Sequence, residues 1–416
     1  MSKKDKRELR QQVVCQWLEQ NYLQYDSLRH DTVTDRLQIR TITHHDADCQ
    51  WRNLTDKDIN TMVCNCVQDS GVNISVSEMW TALKSDFIAT VHPIRAWINH
   101  LPDYTLDQPD WIDKLAQQVH VAGDEQDNLY WRTCFKKWFV AMVASWMHDE
   151  VVNHTVLVLV GQQGIFKTTW LDHLIPPELR AYSSKLPLTG QISKDDRLRL
   201  CENAMLNIDE LDAICGREMN IVKSLLTSTD VNERAAYGRL KERRVRIASF
   251  CASTNNREFL TDITGNRRWL PFDVESIQNP FYTTLLYEYI YAQAKYLVEQ
   301  GSFAYWFDMQ EIEELEKHNE NFRIQDNEEQ LIPILFDIPA EGKGEFMTTA
   351  QISERLVTYG NIKRPMALNR LGVLLGQMGY KKVRSGKQRI CGWIVYRYTS
   401  DEIESRKRLH AKEVDG

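Results

Sequence analysis

From Val156 to Trp170 the chain reads VLVLVGQQGIFKTTW, an apolar β-type run that breaks into a Gly-rich turn ending in Lys167, Thr168 and Thr169. That order outlines a phosphate-binding loop. A buried strand delivers the backbone, Gly161 and Gly164 let amides approach an anion, and a helix starting near Lys167 adds its positive dipole end. Gly161, Gln162, Gln163, Gly164, Ile165, Phe166, Lys167, Thr168 and Thr169 are therefore the candidate nucleotide contacts. Lys167 would reach the β and γ phosphates, and the Thr168 hydroxyl would ligate Mg²⁺. One position departs from the pattern G-x-x-x-x-G-K-[ST]. Phe166 stands where the second glycine belongs, and a bulky residue is hard to place if that site needs positive φ. The plain alternative is a strand-turn-helix with a surface lysine.

A second β-like run, Ala204 to Ile208, ends in Asp209-Glu210-Leu211-Asp212. In a P-loop ATPase the strand beside the phosphate loop ends in an Asp that holds Mg²⁺ through water, followed by a Glu that polarises the attacking water. Asp209 and Glu210 fit those roles, although an acidic helix cap reads the same way. The strand Val245 to Ser253 closes on Thr254, Asn255 and Asn256, where an amide can sense a γ phosphate; Asn255 is the candidate. Arg267 and Arg268 in the turn TGNRRW suit bidentate phosphoryl contact as an arginine finger from a neighbouring subunit. A solvated or nucleic-acid-contacting pair is the other reading.

The order GQQGIFKTTW, NIDELDAI, AAYGR, ASTNNREFL and TGNRRWLPF, with His92-Pro93-Ile94-Arg95 upstream, resembles the virulence-associated protein E family of phage and mobile-element proteins. The resemblance spans Trp51 to Asp273, its motifs concentrated between Leu159 and Phe272. That family is similar to superfamily 3 helicases and AAA+ ATPases. What the resemblance implies is a nucleic-acid-stimulated, ring-forming ATPase acting in DNA replication of a mobile element. Members often carry a primase domain, yet the N-terminal part here has scattered acids and histidines and no compact carboxylate pair at a strand end. A separate chain would supply that activity.

The formal charge is −7, with 51 Lys plus Arg against 58 Asp plus Glu, so attraction to DNA needs local basic patches. One comprises Arg234, Arg239, Lys241, Arg243, Arg244 and Arg246 around Tyr237-Gly238. It occupies the place where superfamily 3 helicases project a pore hairpin. Arg239, Lys241 and Arg243 would then grip single-stranded phosphates, with Tyr237 against a base or sugar; a hydrated charged hairpin is the alternative. The second patch is C-terminal. Helices at 348–359 and 365–378, a basic turn from Arg384 to Arg389 and a strand at 390–398 are the parts of a winged helix. Lys363, Arg364, Arg370, Lys381, Lys382, Arg384, Lys387 and Arg389 would face duplex DNA, the second helix entering the major groove. Such small domains also dock proteins. This region resembles a domain of unknown function found with this ATPase in gut Bacteroidetes.

The positioning elements follow from periodicity. Residues 7–22 place Leu9, Val13 and Trp17 on one helical face, and 31–42 alternates like a strand or hairpin. Residues 131–146 carry Phe135, Trp138, Phe139 and Met142 at helical spacing, a core helix beneath the phosphate-loop strand. Residues 281–300 form a helix stopped by Gly301, a lid or collar beside the nucleotide, and 311–320 is a solvated acidic face.

The fold expected is α/β, with a P-loop AAA+ or superfamily 3 helicase-like core at 126–305. A mainly helical region at 1–125, an acidic helix and linker at 306–345, a winged-helix-like domain at 346–400 and a charged tail at 401–416 complete it. The nine cysteines lack paired spacing and read as reduced thiols, neither His44-His45-Asp46-Asp48-Cys49 nor Cys64-Cys66 reads as a zinc site, and no apolar stretch spans a bilayer. Cytoplasm is the simplest location. The expected activity is an ATP- and Mg²⁺-dependent DNA helicase or translocase. An origin-loading ATPase that does not unwind, or an interaction module whose pocket Phe166 has closed, are the competing readings.

Overall fold

The computed structural model describes residues 3–40, 51–186, 192–208, 211, 216–233, 242–261, 265–301, 303–340, 344–385 and 390–406. Two compact units make up the chain, 1–257 with 267–315, and 258–266 with 316–416.

In the first unit α1 (Lys3–Asn21) buries Val14, Trp17 and Leu18 while Leu9 is exposed. The apolar face is thus turned one position from the expected Leu9-Val13-Trp17 stripe, because the cluster it joins lies against Val14 and Leu18. A small sheet follows from β1 (Leu28–Asp31), β2 (Arg36–Ile39), β3 (Arg52–Asn53) and, beyond helices α2 (Asp56–Ser70) and α3 (Val76–Leu83), β4 (Thr90–Val91), in the order β3-β2-β1-β4. The segment expected at 31–42 is a hairpin beginning three residues earlier, with 41 and 42 outside the described residues. Buried Asp31 accepts from Val33 N, Thr34 Oγ1, Gln38 Nε2 and Tyr182 OH at 2.7–3.1 Å. A buried carboxylate has to be satisfied, so this network fastens the small sheet to the core that carries Tyr182.

The core cluster takes in Val33 and then runs from α4 (Pro93–Asn99), well before the expected boundary at 125. His92 caps α4 by accepting from Arg95 N; burial lowers its pKa to about 4, so the ring is a neutral acceptor at pH 7. After α5 (Trp111–Ala116) and β5 (Val119–Val121) comes α6 (Glu125–Met147), started by a capping box at Asp124 and Asp127. Its N-terminal half is polar on one side, and from Trp138 to Trp146 it is buried all round within the core. Its indoles anchor it: Trp131, Trp138 and Trp146 donate to the carbonyls of Ala116, Phe250 and Ala204.

The strands β6 (Val156–Val160), β7 (Ser183–Lys185), β8 (Met205–Ile208), β11 (Ser249–Thr254) and β12 (Trp269–Ile277) pair in parallel, and β5 is antiparallel at the edge, in the order β5-β12-β6-β11-β8-β7. Every residue of β6, β8 and β11 is buried, as expected of a parallel sheet covered on both faces. Around it lie α7 (Lys167–Asp172), α8 (Lys194–Glu202), α9 (Gly216–Thr227), α10 (Tyr287–Gln300) and α11 (Met309–Asn319). Strands β9 (Asp230–Glu233) and β10 (Glu242–Val245) form an antiparallel hairpin between α9 and β11; residues 234–241 are not described. The fold is α/β.

In the second unit α12 (Asn327–Leu335), β13 (Phe336–Asp337), β14 (Glu345–Met347), α13 (Thr349–Gly360), α14 (Leu368–Gln377), β15 (Lys381–Ser385) and β16 (Ile390–Arg397) share one cluster. β16 is central, with β14 and β15 antiparallel on either side. The expected boundary at 345/346 falls inside this packing, since Ile332, Leu335 and Phe336 belong to the same cluster. The described cysteines are free thiols, and among the described residues no helix is long and apolar enough to cross a membrane.

Arg246, between β10 and β11, is fully buried and donates at 2.8–3.3 Å to the carbonyls of Leu225, Leu226, Ser228, Ala248 and Asn153. Leu225 and Leu226 are terminal carbonyls of α9, groups a helix cannot satisfy internally and whose partial negative charge suits a cation. Burial lowers the guanidinium pKa to about 9, so the cation persists at pH 7. Arg246→Met keeps bulk but strands these carbonyls, and should lower the unfolding free energy by about 3 kcal/mol or more. A urea midpoint equal to wild type would show that the carbonyls find other partners.

Candidate functional site

The loop leaves β6 at the C-terminal edge of the sheet. Gly161 has φ 150°, and a Cβ there would stand 2.6 Å from the Val274 carbonyl oxygen, so only glycine fits. Gly164 has φ 89°. The sequence raised the question of Phe166, and its backbone takes the glycine-like conformation, φ 70° and ψ 16°. A left-handed non-glycine residue costs about 1–2 kcal/mol. A ring contact helps offset it: Phe166 meets Phe281 edge to face, centroids 6.4 Å apart.

Lys167 opens α7 and is 7% exposed. Its Nζ donates to Gly161 O and Gln162 O, each at 2.7 Å, and to Asn255 Oδ1 at 3.1 Å. The lysine and the candidate sensor, 88 residues apart, are thereby brought together. Thr168 Oγ1 lies 2.9 Å from Ser253 Oγ at the tip of β11, a partner not singled out from the sequence although it stands in the same ASTNN run. Asn207 of β8 donates to Asp172 of α7 at 2.9 Å, so the helix after the loop is also tied to the acidic strand. With six residues α7 has a small dipole, and Lys167 and the loop carry the electrostatics.

Asp209 and Glu210 lie outside the described residues, as does Asp212. The strand leading to them is not beside the phosphate-loop strand, contrary to expectation. β11 is inserted between, pairing with β6 through Cys251 and Leu157 and with β8 through Ala252 and Ile208. The insertion brings Ser253 and Asn255 to Thr168 and Lys167. A run of apolar residues does not reveal which other runs it will pair with.

Arg267 is exposed and Arg268 half-buried at the opposite edge of the sheet. Arg268 O accepts from Val156 N at 2.8 Å, at the start of β6, whereas the phosphate loop leaves its end at Val160. Four strand steps, roughly 13 Å, separate the two levels. Burial and the nearby Arg268 lower the pKa of Lys223 on α9.

The basic hairpin needs correction. Arg234, Tyr237, Arg239 and Lys241 lie outside the described residues. Arg243 pairs across the hairpin with Asp230 at 2.7 Å while 76% of its side chain stays exposed. Arg244 is bound to Glu202 and to the Val33 carbonyl, and Arg246 is the buried clamp, so neither faces solvent as a phosphate ligand. In the second unit Lys363, Arg364, Lys381, Lys382 and Arg384 are exposed, whereas Lys387 and Arg389 are not described. Arg370 donates to Thr261 O at 2.9 Å and Asp326 at 2.6 Å. Arg370 stays partly exposed within that ion pair, and exposed Leu368 and Val373 lie on the same helix.

The helix expected from 281 begins at Tyr287; Phe281 to Leu286 form a turn before it, and Gly301 ends it at φ 62°. The helix packs against the residues that follow α7, where Tyr287 OH and Tyr291 OH donate to the carbonyls of His173 and Leu174. The acidic face at 311–320 is partly used: Glu311 pairs with buried Lys137, and Leu315 is buried. Residues 44–49 are not described, and among the described residues no group of three acids, histidines or cysteines could hold a metal.

Phe166→Ala should be less stable than Phe166→Gly by about 1 kcal/mol, because alanine keeps the left-handed penalty that glycine removes while both lose the ring. Denaturant unfolding of the two variants measures this, and an equal or inverted order would contradict the strain assigned to Phe166.

The virulence-associated protein E-like domain model matches residues 101–324, beginning and ending later than the expected span of Trp51 to Asp273. No curated protein matches the chain. Among solved structures, the apo NrS-1 C-terminal region is similar at 9% identity and TM-score 0.46, covering 90% of this chain and 97% of that one. An SCCmec type IV Cch structure described as an active helicase is similar at 10% identity and TM-score 0.35, covering 91% and 93%.

Proposed function

The chain belongs to the virulence-associated protein E-like family, and from that premise we propose that it is an ATP-hydrolysing DNA translocase or helicase acting in replication of a phage or other mobile element. The observation that carries the reading is the lysine at the head of α7, bonded at once to two loop carbonyls and to Asn255. Such a lysine, at the C-terminal edge of a buried parallel sheet where ligands of α/β folds bind, is the arrangement triphosphate chemistry needs. Phe166 takes the conformation the loop requires, which favours a working pocket over a closed one.

In this reading Lys167 exchanges its carbonyl partners for β and γ phosphate oxygens, and Asn255 orders the γ phosphate by hydrogen bonding. The donor set Thr168 and Asp209 suits Mg²⁺, a hard cation that takes oxygen ligands and would neutralise charge on the transferred phosphoryl group. Glu210 is the proposed base that orients water. Arg267 or Arg268 reaches the γ phosphate of an adjacent subunit, since both sit at the sheet edge away from their own loop. The working form is then a homo-oligomeric ring in the cytoplasm, with DNA in its pore and a primase on a separate chain.

DNA-stimulated phosphate release tests the proposal. Wild type should hydrolyse ATP, and Lys167→Ala and Glu210→Gln should each lose roughly a hundredfold or more; equal rates in all three would remove the enzyme. Strand displacement on a forked duplex should accompany hydrolysis. Because Arg244 and Arg246 are committed to the fold, a weaker grip on DNA and an origin-loading role is the second reading, and hydrolysis without displacement would select it.

Mixing tests the arginines. Lys167→Ala subunits and Arg267→Ala/Arg268→Ala subunits, each inactive alone, should regain activity together, with about a quarter of interfaces intact at equal amounts if the finger acts in trans. No recovery from mixed rings would place the arginines elsewhere.

A further inference from the structure

Phe281 is 69% exposed, although it is not loose. Its amide donates to Asn279 Oδ1 at 3.0 Å, Tyr282 N donates to Asn279 O at 3.1 Å, and Thr283 Oγ1 donates to the same carbonyl at 3.0 Å. The turn thus holds a large apolar ring in water at a fixed place. Two rings from the phosphate-loop segment meet it edge-on: Phe166 at 6.4 Å and 81°, and His173 at 5.8 Å and 86°. His173 is itself held, its Nδ1 2.7 Å from Thr169 O and its carbonyl accepting from Tyr287 OH at 2.7 Å. Phe166 contributes despite a strained backbone, and strain kept at one residue points to a function for it.

These features share one location. Phe166 precedes the lysine that binds phosphate, and His173 lies six residues beyond that lysine, about 9 Å along a helical axis. A nucleoside triphosphate held by the loop at one end therefore has an aromatic surface within reach of its other end.

We infer that Phe281, backed edge-on by Phe166 and His173, is the stacking platform for the base of the nucleoside triphosphate whose phosphates the loop holds. The inference rests on the phosphate-loop reading above. A base presents a flat π face and an exposed phenyl ring pairs with it without needing a hydrogen bond. The positive φ of Phe166 then has a use beyond shaping the loop, since it carries a side chain to the platform where glycine would carry none.

Calorimetric titration with Mg²⁺-ATP and with Mg²⁺-tripolyphosphate, which has phosphates but no base, tests this on the full chain. Wild type should bind ATP at least tenfold more tightly. Phe281→Ala should weaken ATP by about tenfold, the range of one base-aromatic stack, and leave tripolyphosphate unchanged; Phe281→Trp should restore ATP. Equal losses for both ligands, or no loss for ATP, would overturn the platform. Tripolyphosphate binding with no preference for ATP in wild type sinks the platform alone, whereas wild type binding neither ligand sinks the phosphate-loop reading and the platform with it.

Discussion

An ammonium group that is almost out of solvent has to be surrounded by oxygen, and Lys167 meets that demand in a way that organises the site. Its Nζ donates to Gly161 O, Gln162 O and Asn255 Oδ1, which ties the loop to the strand inserted beside it. The rest of the unit keeps those atoms in register. The sheet is buried on both faces, α6 is pinned by three indole donors to backbone carbonyls, and the hydroxyls of Thr168 and Ser253 meet at the same edge. Rigid strands supply the precision and the loop presents the candidate groups.

Positive charge is divided between folding and function in a manner that composition conceals. Arg246 spends its guanidinium on backbone carbonyls around the end of α9, and Arg244 joins β10 to Glu202 and to the N-terminal sheet. Both belong to what looked like one basic patch. The hairpin base is thereby fixed to α9 and β11. Arg370 is likewise committed to Asp326. A cation close in sequence to other cations is free for a ligand only when no local carboxylate or carbonyl claims it, and that is a property of packing.

Phe166 illustrates the opposite case, a local irregularity with a visible cause. The backbone cost of its conformation is set against a ring contact with Phe281, a residue 115 positions away. The sequence showed the conflict at this position; the compensation lay across the fold. A platform made from Phe281, Phe166 and His173 would turn the irregularity into part of the nucleotide site.

Much of the candidate site was legible because its chemistry is local. The glycines, Lys167 and Thr168 follow one another along the backbone, the capped helices carry their start signals within four residues, and buried strands announce themselves as unbroken apolar runs. Periodicity also placed α6 in the core and Gly301 at the end of α10. The tertiary structure alone decided which strand lies beside the phosphate loop, that Ser253 faces Thr168, where α10 begins, and which arginines are buried. Each of those depends on partners distant along the chain, and a side chain's own type and spacing hold no record of what packs against it.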